Sequence, residues 1–152
     1  MLNEELKASI TNIAETVSFD ETGEWLTVMV TPEGLDALAT GLRYDDALFF
    51  DYLFCLTCID WKTNLTMVYH LSSTRHRHTI VVKSVLDINN PQIESLTHIW
   101  RTAEFHEREV YEMFGVHFLN HPDLRLLILP DGWEGKNPMR KDFDDPVNMI
   151  NL

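Results

Sequence analysis

The sequence predicts an α+β domain in two layers, a mixed and mostly antiparallel sheet packed with helices, followed by an extended, irregular C-terminal tail. Three observations carry this. The stretches "LFFDYLFCLTCIDW" (48–61), "LTMVYHLSS" (65–73) and "HTIVVKSVLDI" (78–88) are rich in aromatic and β-branched residues and are separated by short polar turns, the pattern of neighbouring antiparallel strands. Before and after them, apolar residues recur at helical spacing. Beyond Gly115, Pro122, Pro130, Gly132, Gly135, Pro138 and Pro146 interrupt the chain too often for a long helix or strand.

The elements follow in order. Leu2, Leu6, Ile10, Ile13 and Val17 lie three or four residues apart, which predicts an amphipathic helix of about four turns. "EWLTVMV" (24–30) reads as a strand. In "TPEGLDALATGL" (31–42), Thr31 is suited to the N-cap, Pro32 to the first helical position and Gly41 to the stop, so a short second helix is expected. Gly34 weakens it, because glycine has the greatest backbone freedom to lose. After the three central strands, with "RHRH" (75–78) marking a turn between two of them, "NNPQIESLTHIW" (89–100) and "EFHEREVYEMFG" (104–115) are expected to be helical. The domain is placed at 1–130 and the tail at 131–152.

Charge and composition exclude several function classes. Twelve Lys+Arg against 24 Asp+Glu leave a net charge of -12, which repels nucleic-acid phosphates and anionic lipid headgroups. The N-terminal stretch mixes acidic with apolar residues and lacks the unbroken apolar run of a secretory signal, so a cytosolic chain is expected. Asp51 interrupts the most apolar segment well short of the ~20 residues of a membrane helix, so membrane association is expected through partners. Cys55 and Cys58 are read as reduced core thiols. Three apart on a strand, they point to opposite faces and cannot readily share a disulfide or a metal. His70 in a strand, and His117 and His121 in a loop, are read as hydrogen-bonded structural residues. No glycine-rich phosphate loop, nucleophile elbow, nicotinamide fingerprint or second Cys-x-x-C occurs, so neither catalytic residues nor a cofactor site are expected in this chain.

The densest cluster of charge is 104–115. On a helix, Ala103, His106, Val110, Met113 and Phe114 form one stripe, and Glu104, Arg108 and Glu112 follow one another at i, i+4 on the other side. An arginine between two carboxylates suits a structural or interface ion network better than proton transfer. A function of another class, a stand-alone metal-dependent enzyme, would use His106, Glu109 and Glu112, with Glu94 and His98 nearby. Against it, the paired Glu-x-x-His spacing of a bundle metal site is missing, and Arg108 places positive charge beside the ligands. The tail carries Trp133, Met139, Phe143, Val147, Met149 and Ile150, an apolar content that calls for a covering surface, and "MRKD" gives it a basic pair suited to a partner's carboxylates.

"EREVYEMFGVHFLNHPDLRLLI" (107–128) resembles the signature of the small hydrophilic subunit of NADH:quinone oxidoreductase, the thirty-kilodalton subunit of respiratory complex I. The match runs through Glu107, Arg108, Glu109, Glu112, His121 and Arg125. "LPDGWEGKNPMRKDF" (129–143) resembles the family's downstream block through Trp133, Arg140, Lys141, Asp142 and Phe143, and "MVYHLSS" and "IESLTHIW" are similar as well. Phe105-His106 stands where family members commonly carry Asn-Trp. The resemblance implies a cofactor-free structural and assembly subunit of the peripheral arm, on the cytoplasmic side of the bacterial inner membrane, in a proton-translocating enzyme. It implies docking on the large hydrogenase-like subunit that forms the quinone site, beside iron-sulfur subunits, through those eleven residues. NAD chemistry, FMN and the iron-sulfur clusters would then belong to partner chains. The same family implies, as alternatives, the equivalent subunit of a membrane-bound hydrogenase or of a ferredoxin- or F420-linked quinone reductase.

Overall fold

In the computed structural model, which describes residues 2–150, the three apolar stretches form β3 (Tyr52–Asp60), β4 (Asn64–Ser72) and β5 (Thr79–Asp87). They make an antiparallel meander in which Thr57 faces Val68 and Tyr69 faces Val82. β2 (Leu26–Met29) adds in parallel beside β5, and β1 (Ser18–Asp20) pairs antiparallel with β2, giving the strand order β1-β2-β5-β4-β3. The mixed, mostly antiparallel sheet is as predicted.

Strand side chains alternate between faces. Leu26, Val28, Leu65, Met67, Tyr69, Ile80, Val82, Leu56 and Cys58 share one face and join a single core with Leu6 and Ile10 of α1 (Asn3–Ile13), Leu38 and Leu42 of α2 (Leu35–Tyr44), and Val110 and Phe114 of α3 (Ala103–Phe114). All three helices therefore serve one face of the sheet. Cys58 is buried on that face, and burial, with Asp60 beside it, pushes its thiol up to about 12. Cys55 stands half-buried on the other face, past a bulge between Leu53 and Cys55, so the two thiols point apart as expected.

Several boundaries differ from the sequence expectation. α1 ends at Ile13, a turn early, because the chain becomes extended at Ala14 to enter β1; Val17 packs on the core from outside the helix. Thr31 Oγ1 accepts the Gly34 N–H at 3.3 Å as the expected N-cap, but it caps a 3-10 turn (Pro32–Gly34) that leads into α2. Gly41 is not a stop. It lies inside α2 where a Cβ would collide with Ile13, so it sets the close approach of α1 and α2.

The stretch 89–100 is not a helix. After Pro91, β6 (Gln92–Glu94) pairs in parallel with β7 (His117–Leu119), Ile93 facing Phe118, and 97–102 is a run of turns. Ile93, Leu96, Ile99 and Trp100 do have helical spacing, yet their burial comes from tertiary partners. Trp100 Nε1 donates to the Phe50 carbonyl at 2.9 Å, and the Leu96 N–H is taken by a carboxylate of α3 rather than by a helical carbonyl. β7 falls where the sequence predicts loop. Residues 131–150 form turns without helix or strand, as predicted.

Candidate functional site

α3 is the element around which the charged residues gather. It ends at Gly115, whose φ of 76° is the left-handed conformation of a helix C-cap, and a Cβ there would run into the Asn137 side chain of the tail. The C-terminal end of α3 is thus shaped to receive a later part of the chain.

The expected Glu104–Arg108–Glu112 ion ladder is not formed: among the described residues no ion pair joins these side chains. Arg108 instead donates from Nε to the Arg125 carbonyl at 3.1 Å and from Nη2 to the Leu126 carbonyl at 2.6 Å. One helical turn on, Glu112 accepts the N–H groups of Leu127 at 2.8 Å, Ile128 at 3.1 Å and Leu129 at 3.2 Å. The physical reason is polarity. A chain crossing the helix presents carbonyls and then amides, and a cation followed by an anion at i, i+4 matches both. Arg108 and Glu112 are buried in doing so.

Glu107 points the other way, into the core. Its carboxylate accepts from Ser95 Oγ at 2.6 Å and from the Leu96 N–H at 2.7 Å, which pins the turns after β6. Burial pushes it up to about 7, against the opposing pull of those two hydrogen bonds. His121 closes the group: its Nε2 lies 3.8 Å from Glu107 and donates to the Glu104 carbonyl at 2.9 Å, while its Nδ1 accepts the Asp123 N–H at 3.0 Å. With Nδ1 an acceptor, the ring proton sits on Nε2.

Four of the residues assigned to partner binding by resemblance thus spend their polar atoms inside this chain: Arg108, Glu112 and His121 hold 121–129 against α3, and Glu107 holds Ser95 and Leu96. Glu109 is exposed, and Arg125 is exposed and pairs with Asp123 at 2.9 Å. The segment they hold presents apolar groups outward, with Ile128 67% exposed, and beside it on α3 Phe105 is 57% exposed.

The tail is anchored at one point. Arg140 donates from Nε to the Phe114 carbonyl at 2.6 Å, the Met139 N–H donates to the Met113 carbonyl at 3.0 Å, and the Lys141 N–H donates to Asp60 at 2.8 Å. Asp60 holds the Lys62 N–H at 2.7 Å with its other oxygen, and these backbone donors keep its carboxyl below the usual range. Residues 139–141 of the tail are thus held by the domain itself. Around that anchor Trp133 and Phe143, half-buried with ring centroids 6.4 Å apart, line an open groove with Arg140 and Val147; Asp142 is exposed. Past the anchor, Val147 and Ile150 are each 86% exposed. Sequence reasoning does not single out Asp60, Ser95 or Asn137. Asp60 before a tight turn is the one local signal, since its second partner is Lys141.

The metal-enzyme constellation does not converge. Glu112 is committed to backbone amides, Glu94 accepts from Asn120, His98 pairs with Asp36 at 2.8 Å, and among the described residues no three His, Cys, Asp or Glu side chains are arranged to hold a metal ion.

The sequence profile described as "Respiratory-chain NADH dehydrogenase, 30 Kd subunit" matches residues 28–147. An NADH-quinone oxidoreductase subunit from Chloroherpeton thalassium is 41% identical over 118 residues, covering 74% of this chain and 49% of that protein. A protein of Phocaeicola vulgatus, named for two subunits of NADH-quinone oxidoreductase at once, is 43% identical over 113 residues, 73% of this chain and 22% of that protein. The chain therefore spans about half the length of the first relative (49%) and a smaller part of the second. A chain in the structure of the membrane-bound sulfane sulfur reductase, an archaeal respiratory membrane complex, superimposes with a TM-score of 0.82 at 26% identity, over 95% of this chain and 86% of that one. With the profile spanning β3 to β5, α3 and the crossing segment alike, the chain belongs to the 30 Kd subunit family of respiratory-chain NADH dehydrogenase.

Proposed function

We propose that this chain is a cofactor-free assembly subunit of the peripheral arm of a proton-translocating NADH:quinone oxidoreductase, docked on the large quinone-site subunit. The observation that carries the docking is the tail: pinned at 139–141, it holds Val147 and Ile150 out in water where the domain offers them no cover. A partner groove covers them. The Phocaeicola relative carries two subunits in one chain, and the matched region fills 22% of its length, which supports the second of those subunits as the large partner. The chain itself takes no part in the chemistry. Its polar clusters are occupied in holding backbone, and NAD, FMN, quinone and iron-sulfur chemistry belong to the other subunits. Among the described residues no helix is long and apolar enough to cross a membrane; in this reading the chain is attached to the cytoplasmic side of the inner membrane through its partner subunits.

Truncation before Asp144 tests this, because it keeps the anchor and removes the exposed end. The shortened chain folds, with unchanged circular dichroism, and is lost from the complex purified from a strain lacking the native subunit. Normal recovery would sink the proposal. A second reading, the equivalent subunit of a related membrane respiratory complex, is favoured by the likeness to the sulfane sulfur reductase chain, and the partners recovered with the full chain decide between them.

A further inference from the structure

Glu107 carries a carboxyl with no exposed side-chain surface and no cation beside it. From the segment after β7, His121 Nε2 lies 3.8 Å away, but its proton goes to the Glu104 carbonyl while Nδ1 accepts the Asp123 N–H, so the ring is neutral. Glu94, on β6, adds like charge, and Tyr69, on β4, brings a buried phenol whose oxygen has no hydrogen-bond partner among the described residues. On α3 itself, Arg108 is turned away to the carbonyls of Arg125 and Leu126. Burial in such surroundings pushes Glu107 up to about 7, so it gains and loses a proton in the neutral range.

The hydrogen bonds around the carboxyl suit both of its states. Ser95 Oγ lies 2.6 Å from Glu107 Oε2 and 2.9 Å from Thr97 Oγ1, and a hydroxyl has one proton to give. With Glu107 ionised, Ser95 donates to the carboxylate and accepts from Thr97. With Glu107 protonated, the carboxyl donates to Ser95, and Ser95 donates to Thr97. The bond from the Leu96 N–H to Oε1, at 2.7 Å, is kept in either case. Ser95 is buried, whereas Thr97 is half-buried and lines an open surface depression with Arg101, Glu104, Asn120 and Pro122. We propose that Glu107 is a buried proton-binding site that exchanges with solvent through the hydroxyls of Ser95 and Thr97. On release, Glu107 Oε2 passes its proton to Ser95 Oγ, Ser95 passes its own to Thr97 Oγ1, and Thr97 passes its own to water. Uptake runs the same transfers in reverse, and the net change is one proton and one negative charge on the carboxylate. That charge appears where α3 meets both the turns after β6 and the segment containing His121.

All the groups involved lie in this chain, so infrared spectroscopy of the full-length subunit tests the site. The carbonyl stretch of a protonated carboxyl, assigned to Glu107 by its absence in Glu107→Gln, is lost with a midpoint at about pH 7, well above the exposed acids. Its loss together with those acids, at about pH 4, or its persistence up to alkaline unfolding would overturn the proposal. The route is read by kinetics. After a rapid jump from below to above the midpoint, Thr97→Val loses the stretch at least tenfold more slowly than the wild type, because a proton without the relay leaves only when the turns open locally. Thr97→Ser, which keeps the hydroxyl, retains the wild-type rate and separates the relay from a packing effect. Equal rates in Thr97→Val and the wild type, or a Thr97→Ser variant as slow as Thr97→Val, would overturn the relay.

Discussion

Glu112→Ala should loosen the chain that crosses α3 before it affects anything else. The wild-type carboxylate accepts three successive N–H groups, from Leu127, Ile128 and Leu129, at 2.8 to 3.2 Å. Hydrogen bonds to a charged group contribute about 1.5–3 kcal/mol each, but they are not additive here. Leu127 and Ile128 are 36% and 67% exposed, so their released amides are rehydrated, and Arg108 still holds the carbonyls of Arg125 and Leu126. The expected loss is ~2–4 kcal/mol, capped by the free energy of detaching the segment locally. Amide hydrogen exchange reads that local opening directly: at ~3 kcal/mol the amides at 127–129 exchange roughly a hundredfold faster, since each 1.4 kcal/mol is a factor of ten. Urea unfolding of the isolated subunit reports the global share. Because Arg108 and Glu112 grip the same segment, Arg108→Ala combined with Glu112→Ala costs less than the sum of the single changes. A global loss below ~1 kcal/mol, together with unaltered exchange at 127–129, would refute the clamp.

Glu107 gives a pH dependence of defined sign. Its folded value, about 7, lies above the 4.5 of a free glutamate, so between them the native state binds more protons than the unfolded state and stability falls as pH rises from about 4.5 to 7. Glu107→Gln flattens that slope in urea midpoints measured across the window; an unchanged slope refutes the assignment. The cysteines separate by burial: Cys55 reacts with a thiol reagent while Cys58, its thiol pushed up to about 12, stays inert until the domain unfolds. Replacing both by Ala costs ~1–3 kcal/mol of stability and leaves electron transfer by the assembled complex unchanged, and loss of turnover in a fully assembled complex would revive a redox role.

Most of the sheet is legible in the sequence because β3, β4 and β5 are set by local composition and short turns. The cap at Thr31 is legible for the same reason, a side chain bonding three residues away. The stretch 89–100 misleads, since Ile93, Leu96, Ile99 and Trp100 satisfy a helical period while their partners, Phe118, Glu107 and Phe50, lie elsewhere in the chain. The same limit governs the site. The i, i+4 spacing of Arg108 and Glu112 is plain, and side-chain pairing along the helix is the local solution to it. The actual solution, backbone from 125–129, is a tertiary contact that no spacing announces. Gly41 resembles a stop because glycine ends helices often, and only the approach of Ile13 reveals its packing use.

Affinity purification through this chain from its native membranes, with mass spectrometry of the co-purifying subunits and an absorption spectrum of the chain after separation, tests the central claim most directly. The account predicts stoichiometric recovery of a large quinone-site subunit and iron-sulfur subunits, with no flavin, haem or iron-sulfur absorbance retained by this chain. Recovery of the chain alone, carrying a stoichiometric transition metal that is lost on mutating His106, would contradict it.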